Sequence, residues 1–145
     1  GLGVVLCVPA ISDERIQALT EKAGGYLDVF IGGNLPDTIA RLSECDATAF
    51  LYVCHNTGTS GAIRLGIAAK KPVITFSACR QMRDLYLDPL GRRVINWCDD
   101  VEKIKWLLRS LSLVRFDTGI AALAAQESWI HLGKKYSALY RSLVA

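Results

Sequence analysis

Asn56-Thr-Gly-Thr-Ser-Gly-Ala-Ile-Arg-Leu-Gly-Ile-Ala-Ala-Lys-Lys-Pro-Val-Ile-Thr75 decides the reading of this chain. Before it, Ala47 to Val53 is a short apolar run of strand type. The Gly/Ser/Thr segment that follows is a loop. Gly61 to Lys71 then carries a helix with two lysines at its C-terminal end, and Pro72 opens another apolar strand to Ser77. In such a strand–loop–helix–strand unit, the backbone N–H groups of the loop and the positive end of the helix point past the strand ends. They form a cradle for a phosphate or diphosphate.

The same alternation runs outward in both directions. Val4 to Pro9 is an uninterrupted apolar run, which predicts a strand buried on both faces. Ser12 is expected to cap a helix with Asp13 and Glu14 in its first turn, Ile16, Leu19 and Ala23 on one face, and Gly24-Gly25 at its end. Tyr26 to Ile31 reads as the second strand. Pro36 sits where a first helical residue belongs, and Ile39, Leu42 and Cys45 mark the buried stripe of the second helix. Beyond Ser77, Arg80 to Tyr86 is a short helical segment, and Asp88-Pro-Leu-Gly91 leads into a fifth strand, Arg93 to Trp97. Asp99 and Glu102 predict a capping box for a helix reaching about Ser112. Asp117 to Val144 reads as one or two further helices, with Ser128 as the cap between them.

Strands alternating with helices predict an α/β fold: a Rossmann-like open parallel sheet of about five strands, with flanking helices and a helical C-terminal tail. Residues 1–115 are expected to form the Rossmann-like part and residues 116–145 a tail packed on it, as one domain. Ligands of such sheets bind outside the carboxyl ends of the strands. That edge here carries Pro9 to Ser12, Gly32 to Leu35, Cys54 to Ser60 and Ser77 to Arg80.

Composition narrows the class. At 145 residues, 51% hydrophobic and 21% charged, the chain has the make-up of one globular domain. No window approaches the roughly 20 apolar residues of a membrane span, so no transmembrane segment is expected. Leu2 to Ala10 lacks a basic leader and reads as a core strand, not a signal peptide. The net charge of +3 is spread over small groups at Lys70-Lys71, Arg92-Arg93 and Lys134-Lys135, which is no nucleic-acid footprint. It is compatible with an anionic small ligand or an acidic membrane surface. The cysteines (Cys7, Cys45, Cys54, Cys79, Cys98) are odd in number and widely spaced without a C-x-x-C pair. That pattern argues against a disulfide framework and a zinc site, and for a reducing compartment, the cytoplasm. A peripheral place at a membrane stays open.

Four segments, in order and spacing, carry a resemblance: Leu35-Pro-Asp-Thr-Ile-Ala-Arg-Leu-Ser-Glu-Cys-Asp46, Phe50-Leu-Tyr-Val53, Thr59-Ser-Gly-Ala-Ile-Arg-Leu65 and Lys71-Pro-Val-Ile-Thr75. Together they resemble the donor-binding C-terminal half of GT-B glycosyltransferases, nearest to the retaining family 4 (glycosyl transferases group 1) with its sucrose and mannosyl transferases. The ending, Ser128-Trp129 followed by Tyr140-Arg-Ser-Leu143, is similar to that group's C-terminal helix.

The resemblance implies a UDP-, GDP- or ADP-linked sugar lying across the strand ends. Thr57, Gly58, Thr59, Ser60 and Gly61 would hold phosphate or sugar, with Arg64 one turn into the helix as charge partner. Gly33, Asn34 and Leu35 would lie near the nucleobase, and Arg80 would reach a phosphate from the loop after the fourth strand. The nucleotide sugar is the substrate; no cofactor or metal is implied, and no catalytic residue is singled out.

The chain departs from the family pattern in two places. Two glutamates that many members carry eight positions apart fall here on Thr57 and Leu65. The first strand aligns with the family's second, which makes Arg15 a helix-surface residue and leaves the N-terminal acceptor-binding domain without a counterpart. A fragment or reduced descendant is therefore expected, transferring sugar only in combination with an acceptor domain. Apolar surface left by that partner would favour a homodimer.

Other readings compete. The chain is alternatively a non-catalytic interaction module that keeps the fold without binding nucleotide. A different doubly wound phosphate-binding protein is a third reading, weakened by the absence of G-x-x-x-x-G-K-[ST] and G-x-G-x-x-G. Cys54 and His55 are adjacent on an extended segment and point to opposite faces, which argues against a joint site. Trp97, Trp106 and Trp129 read as core or domain-contact residues, not stacking platforms.

Overall fold

The computed structural model describes residues 4–8, 12–24, 27–31, 33–51, 61–79, 82–110 and 119–144. The chain divides into two compact units, Gly1–Arg41 and Leu42–Ala145.

In the first unit, β1 (Val4–Val8) and β2 (Leu27–Ile31) pair in parallel, from Val4 opposite Leu27 to Val8 opposite Ile31. The crossover is α1 (Asp13–Lys22). Its N-cap Ser12 is extended (φ −77°, ψ 151°), but the capping bond expected of its side chain is not made. Asp13 and Glu14 against the positive helix end do that work instead. After Ala23 the chain turns at Gly24 with φ 61°, as a helix-terminating glycine allows. Arg41, on α2 (Leu35–Ser43), forms an ion pair with Asp28 of β2.

In the second unit, β3 (Thr48–Phe50), β4 (Val73–Phe76) and β5 (Asn96–Cys98) form a parallel sheet in that spatial order. The central strand explains the layering. Val73, Ile74 and Thr75 are all buried, and their side chains alternate between the two faces. Val73 packs with Ile63 and Ile67 of α3 (Gly61–Ala68), Leu85 of α4 (Arg83–Leu87), Val94 of α5 (Pro89–Val94) and Leu123 of α7 (Gly119–Gln126). Ile74 packs on the other side with Cys98 and with Ile104 and Leu107 of α6 (Val101–Arg109). Helices thus cover both faces, as a parallel sheet requires.

The α/β class and the parallel direction agree with the sequence. The described strands form one parallel ladder of two and one of three, each within its own unit. The fifth strand is corrected. Residues Pro89–Val94 are a helix, and β5 begins only at Asn96. Proline near the helix start and an aspartate cap explain this, since Asp88 Oδ1 accepts the Gly91 amide at 2.7 Å. The β-branched Val94 and Ile95 made the segment look like strand. For α6 the cap is Asp100, which accepts from the Lys103 amide at 2.8 Å, and not Asp99. Cys45, Cys79 and Cys98 are free, and burial pushes the Cys98 thiol up, which suits a small core hydrophobe.

Asp88 also accepts from Gln126 Nε2 at 2.9 Å through its other oxygen and so joins α5 to α7. The Gly91 amide is the main cause holding its carboxyl below the ordinary range. Replacing Asp88 with alanine should cost about 1 kcal/mol near neutrality, the usual worth of a cap. Because the folded-state pKa is the lower one, this contribution is present above the unfolded-state value and is lost as pH falls through the folded one. Urea melts of both proteins at about pH 7 and about pH 2.5 check the sign. The gap between them should shrink at the lower pH.

Candidate functional site

The unit that carries the sequence motif is β3–α3–β4. Its geometry begins with close packing of helix on strand. A Cβ placed on Gly66 of α3 would lie 2.6 Å from Phe50 Cε2 and 2.8 Å from Thr48 Oγ1, so only glycine lets α3 lie this near β3. The strands are cross-tied by side chains as well as backbone. Thr48 Oγ1 donates to the Pro72 carbonyl at 3.3 Å, and the buried Thr75 Oγ1 donates to the Phe50 carbonyl at 2.8 Å. At the carboxyl ends of the other two strands, Ser77 Oγ donates to Asp99 Oδ1 at 2.7 Å and to the Cys98 carbonyl at 3.2 Å.

Gly61 is the first residue of α3 and is exposed. A Cβ there would meet no described atom within 4 Å. Thr57, Gly58, Thr59 and Ser60 lie outside the described residues, as do Cys54, His55 and Arg80. Of the cradle expected from the sequence, Gly61 and Arg64 are therefore the described members.

Arg64 has partners that local reading could not supply. Its Nη2 sits 2.6 Å from Asp84 Oδ2 of α4, and its Nε donates to Glu127 Oε2 at 3.0 Å, just past α7. The guanidinium is 31% exposed and already faces two carboxylates, so an anion at α3 would meet a compensated cation. The partners stand 20 and 63 residues away, beyond any helical or strand period. The sequence signal for this cluster was nil.

Gly33, Asn34 and Leu35 belong to the first unit. Gly33 has φ 94°, and a Cβ on it would lie 2.8 Å from the Phe30 ring, so the position requires glycine twice over. Asn34 caps α2: its Oδ1 accepts the Asp37 amide at 2.9 Å, and its carbonyl accepts from Thr38 Oγ1 at 3.1 Å. Pro36 is consequently the second helical residue, not the first. Leu35 is 64% exposed and would be available to a flat ring.

The three tryptophans part company. Trp97 meets Tyr86 edge-on, with centroids 5.0 Å apart, and donates from Nε1 to the Gly91 carbonyl at 3.2 Å. It is half-buried packing, with Arg92 stacked over the far partner Tyr86. Trp106 and Trp129 are exposed. Trp129 opens α8 (Trp129–Val144), capped as expected by Ser128, whose Oγ accepts the His131 amide at 3.2 Å.

Among the described residues, no group of three or more His, Cys, Asp or Glu is placed to hold a metal ion, and no helix is long and apolar enough to cross a membrane. Set against known proteins, the chain matches no family model, no curated protein and no solved structure.

Proposed function

We propose that this chain is the nucleotide-diphospho-sugar-binding half of a glycosyltransferase, with the diphosphate at the N-terminus of α3. The observation that carries the reading is the β3–α3–β4 unit. Its helix follows a parallel strand in the chain, begins at a glycine whose Cβ would meet no described atom within 4 Å, and is drawn close to that strand at Gly66. Backbone N–H groups and the helix dipole stabilise the charge that grows on a diphosphate leaving group without needing a side-chain cation. This matters because Arg64 already serves Asp84 and Glu127. Sugar transfer itself would require an acceptor-binding domain, which brings the hydroxyl nucleophile when the cleft closes.

An amide NMR titration with UDP, GDP and ADP, each at about millimolar concentration, tests this, since half a cleft binds weakly. Shifts at Gly61–Arg64 for one nucleotide are expected. Among the described atoms a Cβ on Gly61 meets nothing within 4 Å, and Gly61→Val should weaken that nucleotide at least about tenfold. Silence from all three nucleotides overturns the proposal.

A second reading, a non-catalytic interaction module, has one observation in its favour. Arg64, one turn into α3, is spent on an internal ion-pair cluster. The same titration separates the two, because the module leaves every amide unmoved.

A further inference from the structure

Helix α8 differs from every other described helix in how little of it is covered. It meets α7 near its start, where His131 and Leu132 are half-buried, and beyond them it is exposed. Trp129 (87% exposed), Tyr136, Tyr140 and Leu143 recur at intervals of seven, four and three, which places them on one stripe of a helix. The polar side of the helix, roughly 140° around from that stripe, is basic. Lys134 and Arg141, seven apart, share a second stripe, and among the described residues neither has a hydrogen bond or ion pair. Lys135 is on the side of the core, where its charge helps lower the pKa of Asp88. From Trp129 to Val144 there is no acidic residue.

We propose that α8 docks in the plane of an anionic lipid surface, its aromatic stripe toward the acyl chains and the cations of its polar side reaching to headgroup phosphates. Charge complementarity selects the occupant. A second copy would set an acid-free basic helix against another, with Lys134 and Arg141 repelling their counterparts. A phosphate-rich surface pairs with both cations instead. The apolar side chains fit the same partner. Trp and Tyr have an apolar ring and a polar tip, and they favour the boundary between headgroups and acyl chains. At a rise of 1.5 Å per residue, the helix is about 24 Å long, enough to lie in the plane of a bilayer surface and too short to cross its core. The inference is independent of any nucleotide site.

The test is co-sedimentation of the full chain with vesicles of phosphatidylcholine alone and of equal parts phosphatidylcholine and phosphatidylglycerol. Binding to the anionic vesicles is expected to exceed binding to the neutral ones at least fivefold, and to fall in high salt. The double variant Lys134→Glu, Arg141→Glu should lose at least tenfold of that binding with an unchanged thermal midpoint, because both side chains are exposed and neither has an ion pair among the described residues. Trp129→Ala, tested separately, should also weaken binding and abolish the vesicle-induced blue shift of tryptophan emission. Equal binding to both vesicle types, no binding to either, or a double variant that binds like the parent would overturn the proposal. Concentration-dependent dimerisation without vesicle binding would overturn it in favour of a second copy. Binding of a poly-glutamate peptide without vesicle binding would do so in favour of an acidic protein partner.

Discussion

Leu123→Ala is expected to destabilise the Leu42–Ala145 unit by about 2–5 kcal/mol. Leu123 is fully buried and joins Ile63, Ile67, Val73, Leu85 and Val94 in one cluster. Its helix, α7, packs on α3 and α5, so truncation leaves a cavity bordered by three helices and the central strand. Two costs add: the transfer free energy of the lost methyl groups, and a void that the surrounding helices can only partly close. The result would show that the first half of the expected tail is core material. Urea denaturation read by far-UV circular dichroism measures it. A midpoint within experimental scatter of the parent would mean that α7 is not docked as described.

Gly91→Ala should cost about 1–3 kcal/mol or more. A Cβ at this position runs into the carbonyl oxygen of Leu85, with the Leu85 carbonyl carbon 3.2 Å and its Cα 3.4 Å away. Those are backbone atoms and cannot rotate aside as a side-chain tip would. Relief requires α5 to move away from α4, which strains the Asp88 cap on the Gly91 amide and the Trp97 bond to the Gly91 carbonyl together. Gly133→Ala is the internal control. Gly133 lies within α8 with nothing inside 4 Å of a new Cβ, so alanine there should stabilise the helix by about 0.5–1 kcal/mol. Thermal melts of the two variants should therefore move in opposite directions.

Most of the element order was legible because it rests on short-range signals. The apolar runs of β1 and β4, the acidic first turn of α1, the glycine that ends it and the Ser128 cap of α8 each depend on residues within four positions of one another. The errors cluster where two local signals compete. Asp99 and Asp100 are both competent caps; Asp100 caps α6, while Asp99 accepts from the hydroxyl of Ser77, just past β4. Val94 and Ile95 favour strand by type. Pro89, the Asp88 cap and the close passage at Gly91 hold the segment as helix.

The candidate site was legible in the same uneven way. The loop-to-helix motif and the glycine at 33 are written in neighbouring residues, and a positive φ at Gly33 needs no distant information to be suspected. Arg64 looked like a free cation because its spacing exposed no partner. Asp84 and Glu127 reach it only after α4 and α7 have packed on the unit.

By itself, then, the sequence determined the α/β alternation, the parallel direction and the glycine-led helix after β3, since periodicity, capping and backbone sterics act over a few residues. Tertiary structure alone decided which carboxylates hold Arg64, that α7 is core, and that among the described residues α8 keeps its aromatic stripe uncovered. Those outcomes depend on which distant side chains compete for the same volume and the same hydrogen-bonding groups, and no local pattern encodes that competition.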